Sequence, residues 1–220
     1  MRQSVTPTDQ SALGIVIARL RQNLACGLPG VPAQQAMAPV PRTPRAPGVR
    51  REDLQPAAVL LLLYPCGGEV HLPLVLRSPT LRRHSGEVAL PGGRQERGDS
   101  SLWDTALREA QEEIGIAPRM VSPVGALTPL EVPVSGYLVQ PWVGVTQSRP
   151  RFHIEEREVA GLLELPASVL LDPSSHDVEQ RELHGRPARV PVYRYEGTVI
   201  WGATAMILSE LEALLEGDER

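Results

Sequence analysis

Residues 91–116 read PGGRQERGDSSLWDTALREAQEEIGI, a glycine-rich loop followed by a stretch with helical periodicity. At about 100° per residue, the apolar side chains of the second part fall on one stripe roughly 100° wide. We expect a helix from about Ser101 to Ile114 that ends at Gly115, because glycine readily adopts the left-handed conformation that terminates helices. Its core-facing stripe consists of Trp103, Ala106, Leu107, Ala110 and Ile114.

Three glutamates, Glu109, Glu112 and Glu113, lie beside this stripe on the same predicted helix. A solvated acidic face is the simplest explanation, but like charges three and four residues apart destabilise a helix. The helix dipole also disfavours anions at a C-terminal end. A divalent cation accounts for both features, since Mg²⁺ binds carboxylate oxygens, waters and substrate phosphates. The cluster therefore indicates metal-assisted attack of water on a phosphate.

The rest of the chain predicts strands around two further helices. Residues 9–25 have helical spacing, whereas the proline-rich residues 27–48 predict an extended arm without a helix. We place the domain boundary between residues 1–53 and 54–220. Strands are predicted at 57–64, 70–77, 121–128, 137–145, 158–165, 189–195 and 199–201, and a C-terminal helix at about 203–214. This order favours an α/β or α+β fold with a mixed sheet between helices.

Composition narrows the function classes. The chain has 220 residues, of which 42% are hydrophobic and 22% charged, values typical of a globular protein. The 26 acidic residues exceed the 22 basic ones, which argues against a nucleic-acid binder. We expect no membrane span, no disulfide framework from the two cysteines, and a cytoplasmic location. A small anionic substrate remains compatible with these numbers.

Residues 108–116 resemble the second half of the Nudix box, the signature of hydrolases that cleave diphosphates linked to another moiety. The match is without a gap at Arg108, Glu109, Glu112, Glu113, Gly115 and Ile116. A one-residue insertion aligns Gly93 and Asp99 with the first half. Residues 76–93 resemble the motif that precedes the box in coenzyme A diphosphatases, and residues 191–195 and 200–205 resemble the end of that branch. The resemblance covers about residues 54–215.

This resemblance implies an α/β/α sandwich that uses Mg²⁺ or Mn²⁺. By the resemblance, Glu109 and Glu113 are the first metal ligands, and Glu112 binds a second ion or a shared water. One of these three glutamates can also serve as the general base, and Arg108 orients a box carboxylate without contacting the substrate. Glu158, with Glu155 and Glu156 as competitors, precedes a strand from which an acidic residue reaches the metal site or acts as the general base.

The implied substrate is a small nucleotide, most specifically coenzyme A or acyl-coenzyme A, cleaved to 4′-phosphopantetheine or its acyl form and adenosine 3′,5′-bisphosphate. Two alternatives are a Nudix hydrolase of nucleoside triphosphates, ADP-ribose or dinucleotides, and a binding module with weak catalysis. The N-terminal arm is compatible with a homodimer. The candidate substrate-binding residues are Arg77, Arg82, His84, Gly92 and Gly93.

Overall fold

The structure, a computed structural model, describes residues 7–78 and 87–216. In this part of the chain the helices are α1 (Pro7–Cys26), α2 (Gly30–Ala36), α3 (Leu102–Ile114) and α4 (Gly202–Glu216). The strands are β1 (Gln55–Cys66), β2 (Glu69–Arg77), β3 (Val88–Ala89), β4 (Gly92–Arg94), β5 (Ser122–Ala126), β6 (Leu130–Val132), β7 (Tyr137–Val145), β8 (Val159–Pro166), β9 (His176–Leu183), β10 (Arg186–Tyr195) and β11 (Thr198–Ile200).

Strand β1 lies at the centre of an eight-stranded mixed sheet. It runs parallel to β7 and antiparallel to β2 and β4. The main order is β3-β2-β1-β7-β5, and β4, β6 and β8 pair with β1, β7 and β2 respectively. A separate three-stranded antiparallel sheet has the order β11-β10-β9. The predicted mixed sheet is thus confirmed, as are the hairpins formed by β1 with β2 and by β10 with β11.

Helices cover both faces of the central sheet. Successive side chains of a strand point to opposite faces, so the uninterrupted leucine run of β1 supplies two cores. Leu61 and Leu63 pack in a cluster with residues of α1 and α4. Leu60 and Leu62 pack with the apolar stripe of α3 on the opposite face. This arrangement confirms the expected α/β/α sandwich.

Helix α3 has the boundaries that the sequence predicts. The Ser101 hydroxyl accepts a hydrogen bond from the backbone N–H of Asp104 at 3.2 Å and caps the first turn. Gly115 ends the helix with φ of 74°, in the left-handed region that favours glycine. The stripe residues of α3 are buried apart from Trp103, which is half-buried. The helix therefore presents its glutamates from a fixed position.

The proline-rich arm contains a helix that we did not expect. Helix α2 tolerates its prolines because Pro29 is its N-cap and Pro32 lies in its first turn, where a missing backbone N–H breaks no intrahelical hydrogen bond. Farther along, the backbone of Val40 pairs with Arg189 of β10. The prediction of an arm without a helix was therefore wrong. The domain boundary at residue 54 stays a prediction.

Strand β9 was also absent from our expectations. Its residues, HDVEQREL, lack the apolar alternation that identifies a half-buried strand, and their exposure is correspondingly high. The strand forms because it pairs along its whole length with β10. Among the described residues, no helix is both long and apolar enough to cross a membrane.

Candidate active site

The glycine-rich loop brings backbone into contact with two carboxylates of α3. Strand β4 pairs with β1, and α3 packs against both strands. The backbone N–H of Gly92 donates a 3.0 Å hydrogen bond to Glu113 Oε2. A Cβ atom added to Gly93 would lie only 2.4 Å from Glu109 Oε1. The Glu109 carboxylate can approach the loop this closely because Gly93 has no side chain, whereas a Cβ atom added to Gly92 would lie 2.3 Å from the carbonyl oxygen of Ala58 in β1.

The two carboxylates are held where negative charge is costly. Glu113 is only 4% exposed, and burial raises its pKa to about 8, although the Gly92 hydrogen bond opposes this shift. Burial also raises the pKa of Glu109, against the opposing effect of the Arg108 guanidinium. The negative charges of Glu109 and Glu158 further raise the pKa of Glu113, and those of Glu112 and Glu158 further raise the pKa of Glu109. A bound cation would compensate this concentration of acidic groups.

Arg108 connects the loop to two of the three helix glutamates. Its Nε and Nη2 donate to the Asp99 carboxylate at 3.0 and 3.1 Å. Its Nη1 donates to Glu109 and to Glu112, both at 2.9 Å, and Nη2 also reaches the carbonyl oxygen of Arg94. The two-point contact with Asp99 fixes the plane of the guanidinium. Arg108 is therefore placed to set the orientation of the glutamates.

We expect Asp99→Asn to lower the free energy of unfolding by about 1–2 kcal/mol at pH 7, because a charged two-point hydrogen bond is lost. The hydrogen bonds from Arg108 lower the pKa of Asp99 from 3.8 to about 2. A depressed carboxyl pKa stabilises the folded state above the unfolded pKa, and this stabilisation is lost as pH falls through the folded pKa.

The difference between wild type and Asp99→Asn should therefore be full above about pH 4 and shrink toward pH 2. Urea unfolding at several pH values measures it. Glu52→Gln is a suitable control, because Glu52 forms an exposed surface ion pair with Arg50, outside α3 and its loop, and such pairs contribute little to stability. An Asp99→Asn effect that does not change between pH 4 and pH 2 would show that Asp99 acts other than through its charge.

A cavity of about 580 Å³ opens beside this loop. The candidate residues on its wall include Gly92, Gly93, Glu109, Glu113, Glu158 and Arg77. Glu112 does not line the cavity: its side chain is 57% exposed and faces Arg108. Of the three acidic residues before β8, only Glu158 reaches the wall, and Glu155 and Glu156 do not. The structure thus brings most of the candidate residues together around one space.

Arg77 stands at this wall with an unsatisfied donor. Its buried Nε atom has no hydrogen-bond partner among residues 7–78 and 87–216. A buried N–H without a partner is costly, so such a group is suited to donate to a bound ligand. Arg82 and His84, the other candidates of this segment, lie outside the described residues.

Some residues of the wall were missed by sequence reasoning. Glu87 lies within the segment that resembles coenzyme A diphosphatases, yet it was not singled out. Trp201 is half-buried and lines the cavity, with the Arg181 guanidinium 4.5 Å from its ring centroid. Arg42 also lines the cavity, but no sequence pattern pointed to it, because it lies in the proline-rich arm. Contacts between distant segments placed these residues here.

The three helix glutamates supply carboxylate oxygens that suit a hard divalent cation, although in this structure those oxygens contact other protein groups. Within the described ranges, no three acidic, histidine or cysteine side chains are arranged around one point that could hold a metal ion. Glu109 and Glu112 are engaged by Arg108, and Glu113 by Gly92. Carboxylate oxygens are nevertheless the ligands that Mg²⁺ and Mn²⁺ prefer. The buried acidic groups therefore fit such an ion by chemistry and by charge.

Comparison with known proteins identifies the family. The NUDIX domain family matches residues 54–181. The uncharacterised Nudix hydrolase NudL of Pectobacterium atrosepticum is 40% identical over 168 residues, which cover 75% of this chain and 85% of that protein. The NudL protein of Yersinia enterocolitica is 42% identical over 165 residues, covering 75% of this chain and 84% of its own.

Among solved structures, a MutT/nudix family protein from Enterococcus faecalis superposes with a TM-score of 0.49 at 13% identity, covering 79% of this chain and 66% of that chain. The assignment itself rests on the sequence relatives, because they match a large share of both chains at high identity. The chain therefore belongs to the Nudix hydrolase family, whose members act as pyrophosphohydrolases.

Proposed function

We propose that this Nudix hydrolase cleaves the diphosphate of coenzyme A or of an acyl-coenzyme A. The observation that carries the proposal is the set of residues that line the cavity. The carboxylates of Glu109 and Glu113 form part of its wall, and much of the remaining wall is apolar, formed by Leu130, Val132, Val139, Met206 and Ile207. A diphosphate that bears a long, largely uncharged arm matches such a space, since apolar walls with a few polar groups suit organic ligands.

The resemblance of residues 76–93 to coenzyme A diphosphatases supports the same substrate. Arg77 belongs to this segment, and its buried Nε atom faces no partner among the described residues. A guanidinium donates two parallel hydrogen bonds to phosphate oxygens, so Arg77 is assigned to bind the diphosphate. The relatives named NudL are uncharacterised and carry no information on the substrate.

Each residue of the site then has a role. Glu109, Glu113 and, from the outer side, Glu112 are assigned to hold Mg²⁺ or Mn²⁺. Such an ion, when bound, lowers the pKa of a water and neutralises charge on the diphosphate. Glu158 lines the cavity and is assigned to accept the proton of the attacking water. Arg108 holds two of the carboxylates in place and touches no substrate.

Product analysis by mass spectrometry tests the proposal. The protein is incubated with Mg²⁺ or Mn²⁺ and coenzyme A, with ADP-ribose and dATP as parallel substrates. We expect 4′-phosphopantetheine and adenosine 3′,5′-bisphosphate, and we expect a Glu112→Gln variant to form them more slowly. Turnover of ADP-ribose or dATP without turnover of coenzyme A would overturn the substrate and keep the hydrolase chemistry. If none of the three substrates is cleaved, the alternative of a binding module with weak catalysis would be favoured.

A further inference from the structure

Residues 37–45, which we call the strap, cross one side of the cavity. Three of them, Pro39, Arg42 and Thr43, line it together with the site residues. The strap lies outside residues 54–181, which the NUDIX domain family matches. This chain therefore completes its cavity with a segment that precedes the family domain.

The strap is fixed at its N-terminal side by α2. The side-chain amide of Gln34 donates to the fully buried Glu210 carboxylate at 2.9 Å, and the Ser209 hydroxyl donates to the carbonyl oxygen of Ala33 at 2.8 Å. Both contacts tie α2 to α4. Residues 206 and 207 of α4, one turn earlier, belong to the cavity wall. Helix α4 therefore both holds α2, which precedes the strap, and contributes to the apolar wall of the cavity.

The strap is also fixed along its length and at its far end. Val40 exchanges two backbone hydrogen bonds with Arg189, at 2.8 and 2.9 Å. Arg42 Nη2 donates to the carbonyl oxygen of Glu131 at 2.8 Å, and the Glu131 carboxylate pairs with Arg45 at 3.2 Å and with Arg51 at 3.4 Å. These contacts make the strap a fixed wall of the cavity.

The register of the sheet gives the distance between the strap and the box. Arg94 of β4, Ala57 of β1, Val139 of β7 and Leu130 of β6 are neighbours in one row across the sheet. Three steps of about 4.8 Å separate β4 from β6 by roughly 14 Å. The box carboxylates lie at β4, and the strap is fastened at β6. A ligand that contacts both the box carboxylates and the strap therefore spans roughly 14 Å.

An extended, amide-linked chain fits this span. Extended backbone covers about 3.5 Å per residue, so roughly four residue-sized units reach from β4 to β6. The pantetheine arm of coenzyme A is a chain of this kind, with amide carbonyl groups between short aliphatic units. Arg42 uses one N–H donor on Glu131, and a guanidinium has five. Its remaining donors can bind an amide or thioester carbonyl group.

We propose that the strap is a specificity element that binds the distal part of the pantetheine arm, with Arg42 as the residue that donates to its carbonyl groups. Pro39 and Thr43 form the adjoining contact surface. This inference rests on the proposed function and deepens it, because it names which part of the substrate the N-terminal arm recognises.

Inhibition by the two product halves tests this assignment on the full chain. For Arg42→Ala we expect the inhibition constant of 4′-phosphopantetheine, measured against coenzyme A hydrolysis, to rise at least tenfold. The inhibition constant of adenosine 3′,5′-bisphosphate should stay within about twofold. Arg45→Ala is the matched control, because Arg45 pairs with Glu131 but does not line the cavity. It should leave both constants within about twofold.

Calorimetric binding of 4′-phosphopantetheine to wild type and Arg42→Ala provides a second readout that needs no turnover, and thermal unfolding verifies that the variant is folded. If Arg42→Ala changes the inhibition constants of both product halves equally, or changes neither, the proposed role of the strap is overturned. Cleavage of coenzyme A by wild type would still support the proposed function in that case. Absence of coenzyme A cleavage by wild type, together with absence of 4′-phosphopantetheine binding, would overturn both.

Discussion

Replacing Glu113 by glutamine is expected to lower kcat by at least about 100-fold while the protein stays folded. Glu113 is 4% exposed, and its Oε2 accepts a hydrogen bond from Gly92 that the glutamine amide oxygen can also accept. The amide keeps the shape of the side chain but cannot ionise. The buried site therefore keeps its packing and loses the carboxylate that we propose as a ligand for a divalent cation. Steady-state kinetics with coenzyme A and Mg²⁺ measure the loss.

The matched control for this variant is Glu52→Gln. Glu52 forms an ion pair with Arg50 on the surface, with both side chains well exposed, and such pairs contribute little to stability. We expect its kcat to equal that of wild type. Urea unfolding of both variants separates loss of chemistry from loss of fold. Wild-type activity in Glu113→Gln would contradict the assignment of Glu113 as a metal ligand.

The second large effect is expected from Gly93→Ala, which should lower kcat about 100-fold. The added Cβ would lie 2.4 Å from Oε1 and 2.5 Å from Cδ of Glu109. The neighbour that must move is the end of a side chain and not backbone, so the fold can accommodate the methyl group by displacing the carboxylate. A displacement of about 1 Å in a catalytic group is enough for an effect of this size.

Gly98→Ala is the control for the loop. Gly98 lies in the same segment, but a Cβ added there meets no atom within 4 Å. Its kinetics should match wild type, and both alanine variants should unfold at similar temperatures. If Gly93→Ala has wild-type kcat, the position of the Glu109 carboxylate against the loop is not needed for catalysis.

The sequence predicts helix α3 and the placement of its glutamates better than it predicts the cavity. Helix α3 could be bounded because its apolar stripe and Gly115 are local signals. The pairing of Asp99 with Arg108 is consistent with the one-residue insertion that aligns Asp99 with the family pattern. These features lie within one continuous stretch, where periodicity and spacing carry the information.

No local sequence pattern predicted the contacts between segments that are distant in sequence. The strap passes the cavity because of its bonds to Glu131 and Arg189, which are far from it in sequence. Strand β9 forms only because β10 pairs with it, since its own residues lack apolar alternation. Helix α2 was hidden by its prolines, which happen to occupy positions where a helix tolerates them. The far wall of the cavity was therefore not predictable from local pattern.

The proposed metal site is tested by measuring Mn²⁺ binding, with electron paramagnetic resonance reporting the concentration of the free ion. Wild type and the double variant Glu109→Gln/Glu113→Gln are titrated without substrate, so the result does not depend on which diphosphate is cleaved. We expect wild type to remove the free-ion signal and the double variant to bind Mn²⁺ at least tenfold more weakly. Equal Mn²⁺ affinity in both proteins would contradict the claim that the carboxylates beside Gly92 and Gly93 form the metal site.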